Sequence, residues 1–209
     1  MPVIDKILEH KIIAIIRGAN PGDVLKIAEA LYAGGIRLIE VTMNSSGPLA
    51  VIEELSNKLG DKMLIGAGTV LDVATARAAI TAGAKFVLSP IVAVDVIKAA
   101  KDSGAIAIPG AHTPTEIFHA YKSGGDIIKV FPATSPDYIK NILGPLPHIP
   151  LLPTGGVNLE NIKQYQNAGA VGFGIGSSLV NTQKTVTKEY LAQLTATVKK
   201  YVQAIAANQ

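Results

Sequence analysis

The chain contains no cysteine and no tryptophan, and aromatic residues make up only 5% of its 209 positions. The missing cysteine excludes disulfides, zinc–thiolate sites, iron–sulfur clusters and thiol nucleophiles together, and it fits a reducing compartment. Charge is scarce as well. Charged residues reach 17% and the net charge is +3, without a basic run dense enough to follow a phosphate backbone, so nucleic acid is not an expected partner. No uninterrupted apolar run reaches the ~18 residues of a membrane span. The opening MPVIDKILEHKIIAIIRG carries charges throughout and does not read as a secretory signal, so the expected location is cytoplasmic. Hydrophobic residues, by contrast, make up 48% of the chain, which is ample for a core and unlike a disordered polymer.

The apolar residues are grouped in a repeating way. Runs of strand length recur at 12–16, 36–42, 63–67, 85–89, 105–109, 126–131, 149–153 and 170–176. Several are apolar throughout, as in parallel strands covered on both faces. Segments of helical spacing lie between them, among them PGDVLKIAEALYAG, VIEELSNKL, DVATARAAITAG and AVDVIKAAKDSG. Asn20, Asp72 and Asn158 stand where helix N-caps are expected, and glycines at 35, 83, 104, 124 and 169 stand where helices stop. Strict strand–helix alternation predicts a parallel sheet with right-handed crossovers. Eight units predict an α/β fold of one domain, residues 1–209, closed as a (β/α)8 TIM barrel. An extra N-terminal helix over 3–10 precedes it, and a closing helix spans 187–206. An open doubly wound sheet is the rival, but no G-x-G-x-x-G opens the first helix.

In such a barrel, chemistry sits at the C-terminal strand ends. Arg17 ends the first strand, Glu40 lies in the second and Lys129 in the sixth, while Thr69, Ser89–Pro90 and Thr154 follow the third, fourth and seventh. Charges inside apolar strands are costly unless paired or wetted. A buried Lys129–Glu40 ion pair is one reading, although Arg17 at the same end leaves a two-residue pair incomplete. The other is catalytic. An amine in an apolar pocket beside a second cation is held neutral and attacks ketones to form a Schiff base. A nearby carboxylate can move the protons, and an arginine suits a planar carboxylate.

Glycine-rich turns follow the last two strands: PTGGVN, with Gly155 and Gly156, and GFGIGSSLV, with Gly176 and Ser177. Both are expected to enter helix starts, where free N–H groups and the dipole hold an anion. Phosphate is a common ligand of these loops in barrels. His112, Glu116 and His119 are the one candidate metal set, but two turns of helix put the imidazoles roughly 10 Å apart along the axis. No metal is expected.

The strings AIIRG, GGIRLIEVT, IGAGTV, FVLSP, PGAHTPTE, IKVFPA, PTGGVN and GIGSSLV, in this order, resemble the 2-keto-3-deoxy-6-phosphogluconate / 4-hydroxy-2-oxoglutarate aldolase family. The resemblance runs from about residue 8 to 206. It implies a class I aldolase without cofactor or metal, usually a homotrimer, acting on small phosphorylated 2-keto acids. Products would be pyruvate and glyceraldehyde 3-phosphate, with 4-hydroxy-2-oxoglutarate as a weaker substrate. Lys129 then resembles the Schiff-base lysine and Glu40 the general acid/base. Arg17, Thr69 and Pro90 resemble substrate-contacting residues, and Gly155, Gly156, Gly176 and Ser177 the phosphate loops. Asn44 stands where some members carry a carboxylate-holding arginine, so Arg17 is the expected replacement. The string EVTMNS also looks like the 2-keto-3-deoxy-6-phosphogalactonate branch. Two other functions compete: a phosphosugar epimerase or isomerase, which has no use for a buried lysine in the sixth strand, and a phosphate-ligand sensor, which has no use for the lysine and glutamate together.

Overall fold

A computed structural model describes residues 1–206; the final three positions of the expected 1–209 domain lie outside the described residues. Helix α1 (Val3–His10) precedes strand β1 (Ile12–Ile16). There follow α2 (Pro21–Gly34), β2 (Leu38–Thr42), α3 (Pro48–Leu59), β3 (Leu64–Gly68), α4 (Val73–Thr81) and β4 (Phe86–Leu88). The second half runs α5 (Val94–Asp102), β5 (Ile106–Ile108), β6 (Gly110–Ala111), α6 (Pro114–Lys122), β7 (Ile128–Val130) and α7 (Pro136–Leu143). It ends with β8 (Leu151–Pro153), α8 (Ile162–Asn167), β9 (Phe173–Ile175) and α9 (Lys188–Ala206).

Local chemistry explains the joints. The Asn20 side chain accepts from Gly22 N–H at the start of α2, with Pro21 in the first turn, and Gly35 at φ +113° ends it. Asp72 caps α4 through Thr75 N–H. Thr113 and Glu116 close a reciprocal capping box on α6. Asn158 caps a turn instead, accepting from Glu160 and Asn161, and α8 begins only at Ile162.

Every strand pairing is parallel, in a curled α/β arrangement. Strand order is β5-β4-β3-β2-β1-β9 in a six-stranded sheet and β6-β7-β8 in a three-stranded one. This differs from the single eight-stranded sheet that the alternation predicts. Pro109 divides the fifth strand run into β5 and β6, since its nitrogen has no hydrogen to donate to a ladder. Between β8 and β9 only one bridge forms, Thr154 to Gly174. The core lies in two layers. Ile13, Leu38, Leu64, Phe86, Leu88, Ile108 and Leu152 pack together with Ile7 of α1, so the extra helix closes one end of the strand-enclosed cluster. Alternate strand residues, among them Ala14, Ile39, Ile65, Val87, Val130 and Leu151, belong to the larger cluster that includes buried residues of the helices around the sheet.

Candidate active site

Five polar or charged side chains are buried among the described residues: Glu40, Thr42, Ser89, Lys129 and Thr154. Glu40 stands in the middle of β2 and Thr42 ends it, while Ser89 and Thr154 directly follow β4 and β8. Lys129 is the middle residue of β7, 3% exposed, with its Cα in register with Gly110 on one side and Leu152 on the other. Its Nζ lies 5.1 Å from the centroid of the Phe131 ring, two residues along the same face of the strand.

Glu40 is completely buried in β2, and neither carboxylate oxygen has a hydrogen-bond partner. Burial raises its pKa above the ordinary glutamate range; the charges of Lys129 and Arg17 oppose that rise without cancelling it. Among the described residues no ion pair within 4.0 Å joins Lys129 to Glu40, so the closed buried pair is not formed. A protonatable acid, an amine and a guanidinium therefore share one electrostatic neighbourhood with the carboxyl group left open for use.

Space for that carboxyl comes from Gly68, the last residue of β3 and the register partner of Thr42. A Cβ there would collide with the Glu40 carboxyl group. Gly68→Ala is expected to displace Glu40, costing about 1–3 kcal/mol of stability by overpacking and, with the acid/base role expected of Glu40 from sequence, roughly 100-fold or more in turnover. Thermal melts and steady-state rates on the purified variant check both.

Thr69 follows immediately at φ +58°, in the left-handed region that a β-branched residue rarely adopts. Such strain costs about 1–3 kcal/mol and collects at functional sites. The side chain is half-buried at the end of β3.

A cavity of about 870 Å³ is lined in part by Arg17, Phe131, Thr154, Gly155, Gly156, Gly176 and Ser177. Lys129 and Glu40 are not among its lining residues; its wall is linked to them by Phe131, whose ring faces Lys129 Nζ, and by Arg17, whose charge acts on Glu40. Arg17 and all four expected phosphate-loop residues are thus brought together. Gly155 and Gly156 are both left-handed, at φ +79° and +86°, which turns successive backbone groups in a way other residues resist. A Cβ on Gly155 would press on the Phe131 ring at 3.2 Å. The Ser178 hydroxyl donates to the Val157 carbonyl at 2.9 Å and so ties the two loops together. Ser177 and Ser178 both line the cavity, but the Ser178 hydroxyl is engaged in that tie.

Neither loop enters a helix directly, contrary to the expectation from sequence. Three residues of turn separate Asn158 from α8, and Leu179 and Val180 both donate to the Gly176 carbonyl in a turn well ahead of α9. The anion-holding potential here is that of backbone turns, without a helix dipole.

Pro90 lines a second cavity of about 400 Å³, with Gly110, His112, Glu116, His119 and Phe131 among its neighbours. Phe131 borders both cavities. Glu116 is engaged by the backbone N–H groups of His112 and Thr113 and by the Thr113 hydroxyl. His112 stacks on Tyr138 with ring centroids 5.2 Å apart. No group of three His, Asp or Glu side chains converges in metal-binding geometry among the described residues. Asn44 is exposed and borders neither cavity, and Thr69 borders neither.

Thr154, which the sequence places at the end of the seventh strand run without a role, has a buried Oγ1 without a partner, packed where a Cβ on Gly174 would collide with it. Three further lining residues carry no signal in the sequence. Asn181, Thr182 and Gln183 also line the larger cavity. They follow β9 in a stretch without a motif.

The sequence model of the KDPG and KHG aldolase family matches residues 3–197. The chain belongs to this family. It is 35% identical to 2-dehydro-3-deoxy-6-phosphogalactonate aldolase of Escherichia coli over 197 residues, 93% of this chain and 96% of that one. It is 39% identical to 2-dehydro-3-deoxy-phosphogluconate aldolase of Pseudomonas aeruginosa over 160 residues, 75% and 72% of the two chains. Among solved structures, KDPG aldolase from Legionella pneumophila, with pyruvate captured as a covalent carbinolamine intermediate, superimposes with a TM-score of 0.75 at 29% identity. That match covers 96% of this chain and 95% of the other. As a KDPG/KHG-family aldolase, the protein is a lyase.

Proposed function

We propose that this aldolase cleaves 2-keto-3-deoxy-6-phospho sugar acids, of gluconate or galactonate type, to pyruvate and glyceraldehyde 3-phosphate through a lysine imine. The observation that carries the reading is Glu40: a buried carboxyl group, unpartnered at both oxygens, in the electrostatic field of Lys129 and Arg17. In this scheme Lys129 Nζ adds to the C2 carbonyl and water leaves. Loss of the C4 hydroxyl proton breaks the C3–C4 bond, the electron pair passing into the imine. The aldehyde departs, the enamine takes a proton at C3, and hydrolysis releases pyruvate and the free amine. Glu40 carries the protons, and burial raises its pKa in the direction that lets a carboxyl group hold a proton it can donate. Arg17, Thr69 and Pro90 contact substrate, with Asn44 assigned to the same role on the resemblance alone. Gly155, Gly156, Gly176 and Ser177 hold the phosphate. The chemistry requires no cofactor.

The two sheets are read as one closed (β/α)8 barrel in a single domain, 1–209. Support comes from the Thr154–Gly174 bridge, from Val171 N–H donating to Leu151 at 2.9 Å, and from the continuity of β5 and β6 across Pro109. A homotrimer fits the exposed Leu71, Ile91, Val94 and Phe118, which lie on neighbouring units. A cytoplasmic location fits the cysteine-free chain.

A phosphate held far from the reacting carbons supplies orientation energy for the cleavage. The five-carbon, unphosphorylated 4-hydroxy-2-oxoglutarate is therefore expected to be cleaved with much lower kcat/KM than the phosphorylated acids. Gly176→Asp places a carboxylate in the phosphate loop, where a Cβ meets nothing within 4 Å. That variant should lose at least tenfold on phosphorylated substrate, about the value of one charge-assisted hydrogen bond, and little on the five-carbon acid. Equal losses on both would remove the phosphate role from these loops.

A further inference from the structure

We propose that Ser45 and Thr182 are positioning residues that clamp the main chain at Arg17 from two sides, fixing where its guanidinium meets the substrate's acid group. The inference rests on the reading of Arg17 as a substrate-binding residue.

The Arg17 side chain is not held by the protein. It is exposed, and among the described residues it makes no ion pair within 4.0 Å and no hydrogen bond. Its position is consequently set by its backbone. The next residue, Gly18, turns at φ +66°, with open space where a Cβ would stand.

Hydrogen bonds hold the turn. Gly18 N–H donates to Ser45 Oγ at 2.9 Å, and Ser45 Oγ lies 2.9 Å from Thr42 Oγ1 in a second hydrogen bond. Thr42 is fully buried at the end of β2, two residues after Glu40. On the other side, Thr182 Oγ1 donates to the Arg17 carbonyl at 2.7 Å. Asn181, next to it, accepts from the Tyr190 hydroxyl at 3.1 Å, which anchors the segment to α9. One tether refers Arg17 to the strand that carries Glu40, and the other refers it to the wall of the larger cavity. Together they set the spacing between a substrate anchor and the acid/base group, a spacing on which productive binding depends.

The test is a double-mutant cycle read as steady-state KM and kcat on a phosphorylated 2-keto-3-deoxy acid, with thermal melts to establish folding. Ser45→Ala and Thr182→Ala are each expected to raise KM about three- to tenfold, the range of one ordinary hydrogen bond, with kcat within about twofold. Thr182→Ser keeps the hydroxyl and should restore the wild-type KM. Introduced into Arg17→Ala, either substitution should add less than about twofold, because the clamp then has no guanidinium to place. The same KM increase with and without Arg17, or a Thr182→Ser variant as impaired as Thr182→Ala, would overturn the clamp. An Arg17→Ala enzyme with unchanged KM would overturn the underlying reading of Arg17 itself. Thr182 lies in an exposed loop, so its variants answer the question if Ser45→Ala does not fold.

Discussion

Lys129→Met should reduce kcat by roughly 10⁴-fold or more, since on the proposed lysine-imine route it removes the amine that forms the covalent intermediate. The fold should survive. Lys129 is 3% exposed in β7, and a methionine of similar length replaces a buried amine by an apolar group that can keep the contact with the Phe131 ring. A Tm equal to or above that of the wild type is therefore expected. Lys129→Arg should be equally inactive, because a guanidinium stays protonated and does not form imines. Retention of even a hundredth of wild-type kcat in either variant would place the nucleophile elsewhere.

Glu40→Gln carries the second large effect. The amide fills the same space beside Gly68 but neither gives nor takes a proton in this pH range, so kcat should fall about 10²–10⁴-fold. Imine formation with pyruvate should persist, since the amine is intact. Stability supplies an independent readout. Burial raises the Glu40 pKa, so the folded protein holds that proton more tightly than the unfolded chain does. The resulting stabilisation is complete below the unfolded value and is lost as pH rises through the folded one. Glutamine does not titrate. The Tm difference, variant minus wild type, should thus become more positive from pH 5 to pH 8, at ~2–4 °C for each kcal/mol in a chain of this size. A flat or opposite trend, measured by calorimetry across that range, would mean that Glu40 is ionised and satisfied as the protein folds.

The parts of this molecule that follow from short-range rules were readable in the chain. Helix 21–34 starts on an Asn-Pro signal and stops on Gly35, and its bounds agree with the expected ones. The N-terminal helix and the closing helix likewise fall where periodicity puts them, at 3–10 and 188–206. Strand ends were less legible. Periodicity draws 126–131 as one run, whereas the strand spans 128–130, with Phe131 N–H still donating to the Ala111 carbonyl just beyond its end. Pro109 broke the fifth strand run for a reason visible in the residue but invisible in the apolar pattern.

In the site, Lys129 and Glu40 stood out in the sequence because a charge inside an otherwise apolar strand is anomalous on energetic grounds alone. Gly155, Gly156 and Gly176 announced themselves as clustered glycines. Thr69 did not reveal its left-handed backbone, since threonine carries no turn signal. Thr154 is an ordinary residue whose importance comes only from the absence of a partner. The tie between Thr182 and Arg17 spans 165 positions and leaves no periodic trace. Asn44 is expected at the site on the family resemblance alone; the loop leaves that side chain exposed, while the neighbouring Ser45 accepts from Gly18 N–H.

The most direct test of the lysine-imine reading is reduction by borohydride in the presence of pyruvate, followed by peptide mass mapping. Hydride adds to the imine carbon and leaves a carboxyethyl group on a secondary amine, which cannot hydrolyse. The expected result is complete, irreversible inactivation with one such group per chain on the peptide carrying Lys129, in wild type and in Glu40→Gln, and none in Lys129→Met. Full activity after treatment, or a modified lysine other than Lys129, would contradict it.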